Sequence, residues 1–147
     1  MTTFKRLALL ACLAAASACG GSDNPSAATT TPTVIVGPTS TLFEGTVGPG
    51  GFAFYSFTTQ QTANASLMLA SVTSSTAPGT SSSPSLGIAI GVPSGIDCTI
   101  EKGSIAAAPA LTSQLVVNLT PGLYCARVYD IGNLKSTVNF AVRITHT

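Results

Sequence analysis

Short apolar runs alternate with polar positions through most of the chain, from about residue 52 to the carboxyl terminus. The runs are FAFYSFTT, ASLMLASV, LGIAIGV, SQLVVNL, LYCARVY and TVNFAVRI, and clusters of Gly, Pro, Ser and Asn separate them. Alternation with a period of two predicts half-buried β-strands, and none of the runs has the spacing of a helical stripe. In the last run Val138, Phe140, Val142 and Ile144 alternate with Asn139, Ala141, Arg143 and Thr145, as in an antiparallel sheet with one solvated face.

Residues 42–147 are enough for one domain, with about seven or eight strands and a turn after every ten or so residues. This spacing predicts an all-β fold in which two antiparallel sheets pack face to face as a β-sandwich. The side chains expected in the core between the sheets are Phe57, Leu67, Leu69, Ile88, Leu115, Val117, Tyr124, Val128, Phe140 and Val142.

The amino terminus has a different pattern. Lys5 and Arg6 precede an apolar run from Leu7 to Ala16, which ends in Ser17-Ala18-Cys19. Basic residues, a short apolar run and small residues before a cleavage point are typical of a secretory signal peptide, and the run is too short to span a bilayer. Residues 1–18 are therefore predicted to be a signal peptide.

The segment Ala16-Ser17-Ala18-Cys19-Gly20 resembles the lipobox of bacterial lipoproteins, from which it departs at Ala16, where that family prefers Leu. The resemblance implies that the signal is cut before Cys19, that this cysteine is lipidated, and that its lipid anchors the chain to a membrane. Because Gly20 is not the aspartate that retains many lipoproteins at the inner membrane, the resemblance favours the outer membrane. Ala16-Ser17-Ala18 also fits ordinary signal peptidase cleavage, which would release a secreted, soluble protein.

Residues 19–41 are predicted to be a lipidated cysteine followed by a flexible linker. The segment is small and polar, and it includes Pro25, Pro32 and Pro38. About twenty flexible residues have a mean reach of about 25 Å, so the domain can stand clear of a membrane surface. Val34 to Val36 are the exception, and they could instead pair as a short first strand.

The charge of the chain without its signal peptide argues against binding to nucleic acid. Without residues 1–18 the chain has four basic and five acidic residues, which gives a net charge of minus one. Nucleic-acid binding normally needs a basic stripe that neutralises phosphates, and four scattered cations do not form one. The basic residues are Lys102, Arg127, Lys135 and Arg143, and the acidic ones are Asp23, Glu44, Asp97, Glu101 and Asp130.

Cys98 and Cys125 are predicted to form a disulfide. Signal cleavage removes Cys12 and lipidation uses Cys19, so these two thiols remain as an even pair in an oxidising compartment. Two cysteines without a histidine cluster make a poor zinc site, which favours the disulfide over a metal or a reactive thiol. Closing this loop should stabilise the fold by about 3–4 kcal/mol.

The segment Leu119-Thr120-Pro121-Gly122-Leu123-Tyr124 combines a tight turn with a tyrosine that opens a strand, like a tyrosine corner. Together with Phe43-Glu44-Gly45-Thr46-Val47, the aromatic strand Ala53-Phe54-Tyr55-Ser56-Phe57 and the closing strand, it makes residues 42–146 resemble the bacterial pre-peptidase C-terminal domain. The resemblance implies a jelly-roll-like β-sandwich that is a non-catalytic appendage of secreted enzymes, some relatives of which bind collagen or carbohydrate. No protease accompanies the domain in this chain, which suggests a free-standing, tethered version.

No residues suggest catalysis. The only histidine is His146, one residue from the end of the sequence, where a Ser-His-Asp or Cys-His arrangement is hard to build. Asp97 with Glu101, or with Asp130, are the only paired carboxylates to consider. We expect Asp97 and Glu101 to be solvated charges beside a strand, and Asp130 to cap backbone groups in a turn, so the protein is predicted not to be an enzyme.

Two further groups are candidate binding residues. Asp97, Glu101, Asp130 and Asn133 are oxygen donors that could hold calcium if the disulfide draws Asp97 toward the Asp130 turn; otherwise no cofactor is expected. Arg127 and Tyr129 should project from the face opposite Tyr124 and Val128, where such a pair can stack on a sugar or a peptide.

The sequence thus predicts a lipid-anchored envelope protein and leaves two roles open. The first is a non-catalytic binding or adhesion module for a protein or carbohydrate ligand. The second is a structural or assembly component that contacts other envelope proteins. The preference for binding depends on fold-level analogy, because no residue pattern in the chain identifies a ligand.

Overall fold

Alternating apolar and polar residues form eight strands in the computed structural model, which describes residues 36–74 and 84–147. The described part of the chain contains no helix. The strands are β1 (Thr39–Val47), β2 (Phe52–Thr59), β3 (Ala63–Ser74), β4 (Leu86–Ser94), β5 (Asp97–Ala107), β6 (Leu115–Leu119), β7 (Gly122–Tyr129) and β8 (Val138–His146).

The strands form two four-stranded antiparallel sheets. Sheet A has the order β1-β8-β3-β6 and sheet B the order β2-β7-β4-β5. Strand β1 pairs with β8, β2 with β7, β3 with β6 and β4 with β5, which is the pairing of a long hairpin wrapped into a jelly roll. The predicted β-sandwich is confirmed, and its strand order is that of the jelly roll.

The core lies between the inner faces of the two sheets. Eight of the ten side chains predicted for it are buried, and Leu67, Leu69, Ile88, Val128 and Val142 are fully so. Leu115 and Val117 are only partly buried, because they belong to β6, a short strand at the edge of sheet A.

The first strand begins before the boundary predicted at residue 42. Thr39 to Thr41 pair with the last residues of β8, so the end of the predicted linker belongs to sheet A. Val36 is not in a strand, and its carbonyl oxygen accepts a hydrogen bond from Gln61 Nε2 at 2.9 Å. Val34 and Ile35, like Cys19, the signal peptide and most of the linker, lie outside the described residues.

The predicted tyrosine corner is confirmed. Tyr124 Oη donates to the carbonyl oxygen of Thr120 at 3.1 Å, and it lies 3.2 Å from the Thr120 hydroxyl. The buried Thr59 hydroxyl donates to the same carbonyl at 2.7 Å from the neighbouring strand β2. The turn between β6 and β7 is thereby held by side chains from two strands of sheet B.

Strand β5 does not stay beside β4 along its whole length. The register shifts between Ile90, which faces Gly103, and Gly91, which faces Ile100. A Cβ atom on Gly91 would lie 1.9 Å from the carbonyl oxygen of Thr99, so the start of β5 passes directly over the outer face of sheet B. The Cα atoms of Cys98 and Cys125 are consequently 6.0 Å apart, although β4 lies between their two strands.

Replacing Tyr124 with Phe should lower the free energy of unfolding by about 0.5–1.5 kcal/mol, the usual value of one hydrogen bond. The ring would still pack against Phe57, since the two ring centroids are 6.2 Å apart. The decrease in the free energy of unfolding therefore reports the contribution of the hydroxyl group alone. Urea denaturation measures it. Tyr55→Phe is the matched control, because the Tyr55 hydroxyl makes no hydrogen bond within the described chain, and an equal loss there would contradict this role of the corner.

Gly91→Ala should destabilise the domain by about 1–3 kcal/mol or more, because the added methyl group overlaps the Thr99 carbonyl. The expected result is a lower urea midpoint and faster reduction of the Cys98–Cys125 disulfide. Gly37→Ala is the control, since nothing lies within 4 Å of the position its Cβ would take. Equal stability of the two variants would show that β5 does not need this close approach.

Candidate functional site

The predicted disulfide between Cys98 and Cys125 is present. Both cysteines are fully buried. Cys125 projects from the outer face of sheet B, and the start of β5, which carries Cys98, covers it. The disulfide joins β5 to β7 across β4. It therefore holds the residues at the start of β5 above the outward side chains of β7.

Arg127 lies next to this crossing and is held from β5. Its Nη1 atom donates to Asp97 Oδ1 at 2.7 Å and to the carbonyl oxygen of Cys98 at 2.9 Å. Asp97 Oδ1 also accepts the backbone N–H of Cys98 at 2.6 Å. The Arg127 side chain is 19% exposed and that of Asp97 is 48% exposed, so the ion pair lies at the surface of the crossing. Asp97 is thus half-exposed beside the strand, as the sequence suggested, and it is also paired with Arg127, which the sequence did not suggest.

An aromatic side chain from β2 completes the arrangement. The Arg127 guanidinium carbon is 4.0 Å from the centroid of the Phe52 ring and 5.9 Å from that of Tyr129. A guanidinium at this distance from a ring face makes a cation–π interaction. Phe52 still exposes 42% of its surface, so the interaction leaves much of the ring accessible. We call Phe52, Asp97, Arg127 and Tyr129 the Arg127 patch.

Tyr129 projects from the outer face with Arg127, as predicted from its spacing to Tyr124 and Val128. Its ring lies on the backbone of Gly87 in β4, where a Cβ atom would be 2.2 Å from the Tyr129 Cζ atom. An aromatic ring over a cross-strand glycine covers backbone that has no side chain of its own. Tyr129 therefore packs one face against the sheet, and Phe52 is the more accessible ring of the patch.

Part of the Arg127 guanidinium has no protein partner. Its Nε atom is buried without a hydrogen bond, and Nη2 makes none with any residue that the structure describes. Oδ2 of Asp97 likewise accepts no hydrogen bond within this part of the chain. The patch thus has a donor and an acceptor available beside the exposed ring.

The Asp130 carboxylate forms a different arrangement just beyond the end of β7, where the backbone N–H of Asp130 donates to the carbonyl oxygen of Gly51 at 3.0 Å. Oδ2 accepts the N–H of Gly50 at 2.8 Å, and Oδ1 accepts those of Gly132, Asn133 and Leu134 at 2.9, 3.0 and 3.2 Å. The hydrogen bond from Gly50, with those from the other three N–H groups, lowers the pKa of Asp130. Asp130 is therefore a cap for two loops, as its place in a turn predicted.

The four candidate calcium ligands do not form one site. Asp97 lies at the Ser94 end of β4, whereas Asn133 donates to the carbonyl oxygen of Ser85 at the other end, and Asp130 lies beside it. Glu101 is exposed in the register shift of β5. No group of three or more His, Cys, Asp or Glu side chains suited to a metal occurs in the described residues. The disulfide draws Asp97 toward Arg127 and not toward Asp130, so the condition on which the calcium prediction depended is not met.

One of the two carboxylate pairs considered for catalysis is also apart. Asp97 and Asp130 lie at opposite ends of β4, as above. The His146 ring lies against Phe57, with centroids 4.9 Å apart, and its Nδ1 atom is buried without a hydrogen bond.

Two members of the Arg127 patch were not identified as binding partners of Arg127 from the sequence. Phe52 faces Tyr129 in the register of β2 and β7, and Asp97 reaches Arg127 only because β5 crosses the sheet. The alternation within each strand shows which side chains face outward. It does not show which strands are neighbours, so no local signal could have joined Phe52, Asp97 and Arg127.

Asp130→Asn should lower the melting temperature at pH 7, because the neutral amide is a weaker acceptor for four N–H groups. The folded pKa of Asp130 lies below its ordinary value of 3.8, so the stabilisation that its charge provides is present above about pH 4 and is lost as the pH falls through the folded pKa. The difference in melting temperature between the wild type and Asp130→Asn should therefore narrow below pH 4.

Glu44→Gln is the control for this measurement. It removes one exposed carboxylate that accepts no hydrogen bond in the described chain, and it should not change the melting temperature at either pH. If the difference in melting temperature between the wild type and Asp130→Asn were constant from pH 7 to pH 2.5, a role for the charge of Asp130 would be contradicted.

Comparisons with known proteins give no relative for this chain: no family model, no curated protein and no solved structure matches it. Among the described residues, no helix is long and apolar enough to cross a membrane.

Proposed function

We propose that this protein is a non-catalytic lipoprotein of the bacterial cell envelope whose β-sandwich binds a protein or carbohydrate ligand. The observation that supports binding is the Arg127 patch, in which a fixed guanidinium with free donors lies beside a phenylalanine ring that is 42% exposed. Surface aromatic and arginine side chains are enriched at the energetic centres of interfaces.

The rigidity of the patch supports the same proposal. Phe52, Arg127 and Tyr129 project from paired strands, and two hydrogen bonds from Nη1 hold the guanidinium in place. Side chains that are already ordered lose little conformational entropy when a ligand binds. Binding sites built on strands are also more exact in geometry than sites built on loops.

The proposed anchor is the lipid on Cys19. Its basis is the resemblance of Ala16 to Gly20 to a lipobox, which implies several acyl chains on one residue. Two or more chains hold a protein at a membrane stably, whereas one chain binds only marginally. With Gly20 after the cysteine, we propose that the protein is displayed at the outer membrane.

Mass spectrometry of the mature amino terminus tests the anchor. We expect a chain that begins at Cys19 and carries the mass of the acyl groups. Cys19→Ser should be released from membranes by a mild salt wash, while the wild type should need detergent. A mature chain with an unmodified Cys19 would contradict the anchor and favour a secreted, soluble protein.

The mature chain, made soluble as Cys19→Ser, tests binding on arrays of glycans and extracellular matrix proteins. Phe52→Ala and Arg127→Ala should each weaken capture at least tenfold, which corresponds to about 1.4 kcal/mol for a side chain at the centre of an interface. Leu42→Ser is the matched control, since Leu42 is an exposed apolar side chain on the outer face of sheet A.

Capture that does not depend on Phe52 or Arg127 would contradict a binding role for the patch. Cross-linking in intact cells examines the other role in the same strains. Cross-links to neighbouring envelope proteins, together with no capture on either array, would favour a structural or assembly component.

A further inference from the structure

We infer that the ligand of the Arg127 patch is a neutral saccharide, one ring of which packs on Phe52 while its hydroxyl groups bond to Arg127 and Asp97. This inference rests on the proposed binding function and names the chemical class of the ligand.

The free polar atoms of the patch suit hydroxyl groups. Arg127 Nη1 is occupied by Asp97 and Cys98, which leaves Nη2 as a donor. Oδ1 of Asp97 accepts two hydrogen bonds, and Oδ2 has no partner among the described residues. Since Nη1 and Oδ1 are 2.7 Å apart, the free donor and the free acceptor belong to neighbouring groups. A hydroxyl both donates and accepts, so adjacent hydroxyls of a sugar can satisfy the two together.

The charge of the patch favours a neutral ligand over an ionic one. Arg127 and Asp97 cancel each other, so an anion would meet the Asp97 carboxylate and a cation the Arg127 guanidinium. The outward positions of the two strands that carry Phe52 and Arg127 add no further charge, and the carboxylate of Asp130, which follows Tyr129, is occupied by four backbone N–H groups. These outward positions are Phe52, Phe54, Ser56 and Thr58 on β2 and Leu123, Cys125 and Tyr129 on β7.

The exposed aromatic surface of the patch also fits a sugar ring. Among the three aromatic side chains on the outer face of sheet B, Phe52 is exposed, while Phe54 and Tyr129 are half-buried. The C–H face of a pyranose is apolar and matches a single ring, with the polar groups at its edge.

Titration by NMR of the mature Cys19→Ser chain tests the ligand class. The probes are four neutral oligosaccharides (cellotetraose, maltotetraose, xylotetraose and the tetramer of N-acetylglucosamine) and the anionic tetragalacturonate. We expect at least one neutral probe to shift the amide signals of Phe52, Cys98 and Arg127 at low millimolar concentration. Tetragalacturonate should bind at least tenfold more weakly than that probe.

Three variants make the test specific. Phe52→Ala and Arg127→Ala should each lower the affinity for the neutral probe at least tenfold, and Leu42→Ser should leave this affinity unchanged. Asp97→Asn keeps an acceptor beside Arg127 but removes the negative charge, so it should bind tetragalacturonate several-fold more tightly than the wild type. The amide spectra of the free variants report whether each is folded.

The outcomes separate this inference from the function on which it rests. If no neutral probe shifts these signals at 20 mM, the saccharide assignment is overturned. The proposed function then stands only if a matrix protein is captured through Phe52 and Arg127. If Arg127→Ala and Phe52→Ala leave the capture of every ligand unchanged, both the saccharide assignment and the proposed binding function fail. Tighter binding of tetragalacturonate than of any neutral probe by the wild type would also overturn the assignment.

Discussion

The close passage of the β5 backbone over Gly91 is the contact on which the outer face of sheet B depends. Because Gly91 has no side chain, the Thr99 carbonyl can lie where a Cβ would otherwise be, and β5 leaves the plane of the sheet. Cys98 then reaches Cys125 across an intervening strand, and Asp97 reaches Arg127. The absence of one methyl group therefore makes room for a disulfide and an ion pair.

Sheet A and sheet B contribute differently to the molecule. Both supply the core, in which full burial of each large apolar side chain stabilises the fold by about 1.5–3 kcal/mol. The pairing of β1 with β8 in sheet A is uninterrupted over all nine residues of β1. Sheet B contains the crossing of β5 and the Arg127 patch. The irregularity of sheet A is a register shift between Leu69 and Ser71, where β3 pairs with β8, whereas the crossing strand and the patch both belong to sheet B.

Local patterns predicted the features that are encoded locally. Alternation gave the strands and most of the core, and the five residues from Thr120 to Tyr124 gave the tyrosine corner. Counting thiols gave the disulfide. Features that depend on strand neighbours could not be predicted: Phe52 meets Arg127 only through the β2–β7 pairing, which joins distant parts of the chain. The same limit applies to the candidate calcium ligands, because grouping them required knowing at which end of β4 each oxygen donor lies.

The hydrogen bond between Gln61 and Val36 has a mechanical consequence. It fixes the point at which the chain enters the sandwich, immediately before β1. The hydrogen bonds from β1 to β8 run perpendicular to the axis of β1. A force applied ahead of Val36 along that axis, with the rest of the sandwich held, would therefore load these bonds together in shear instead of breaking them one by one.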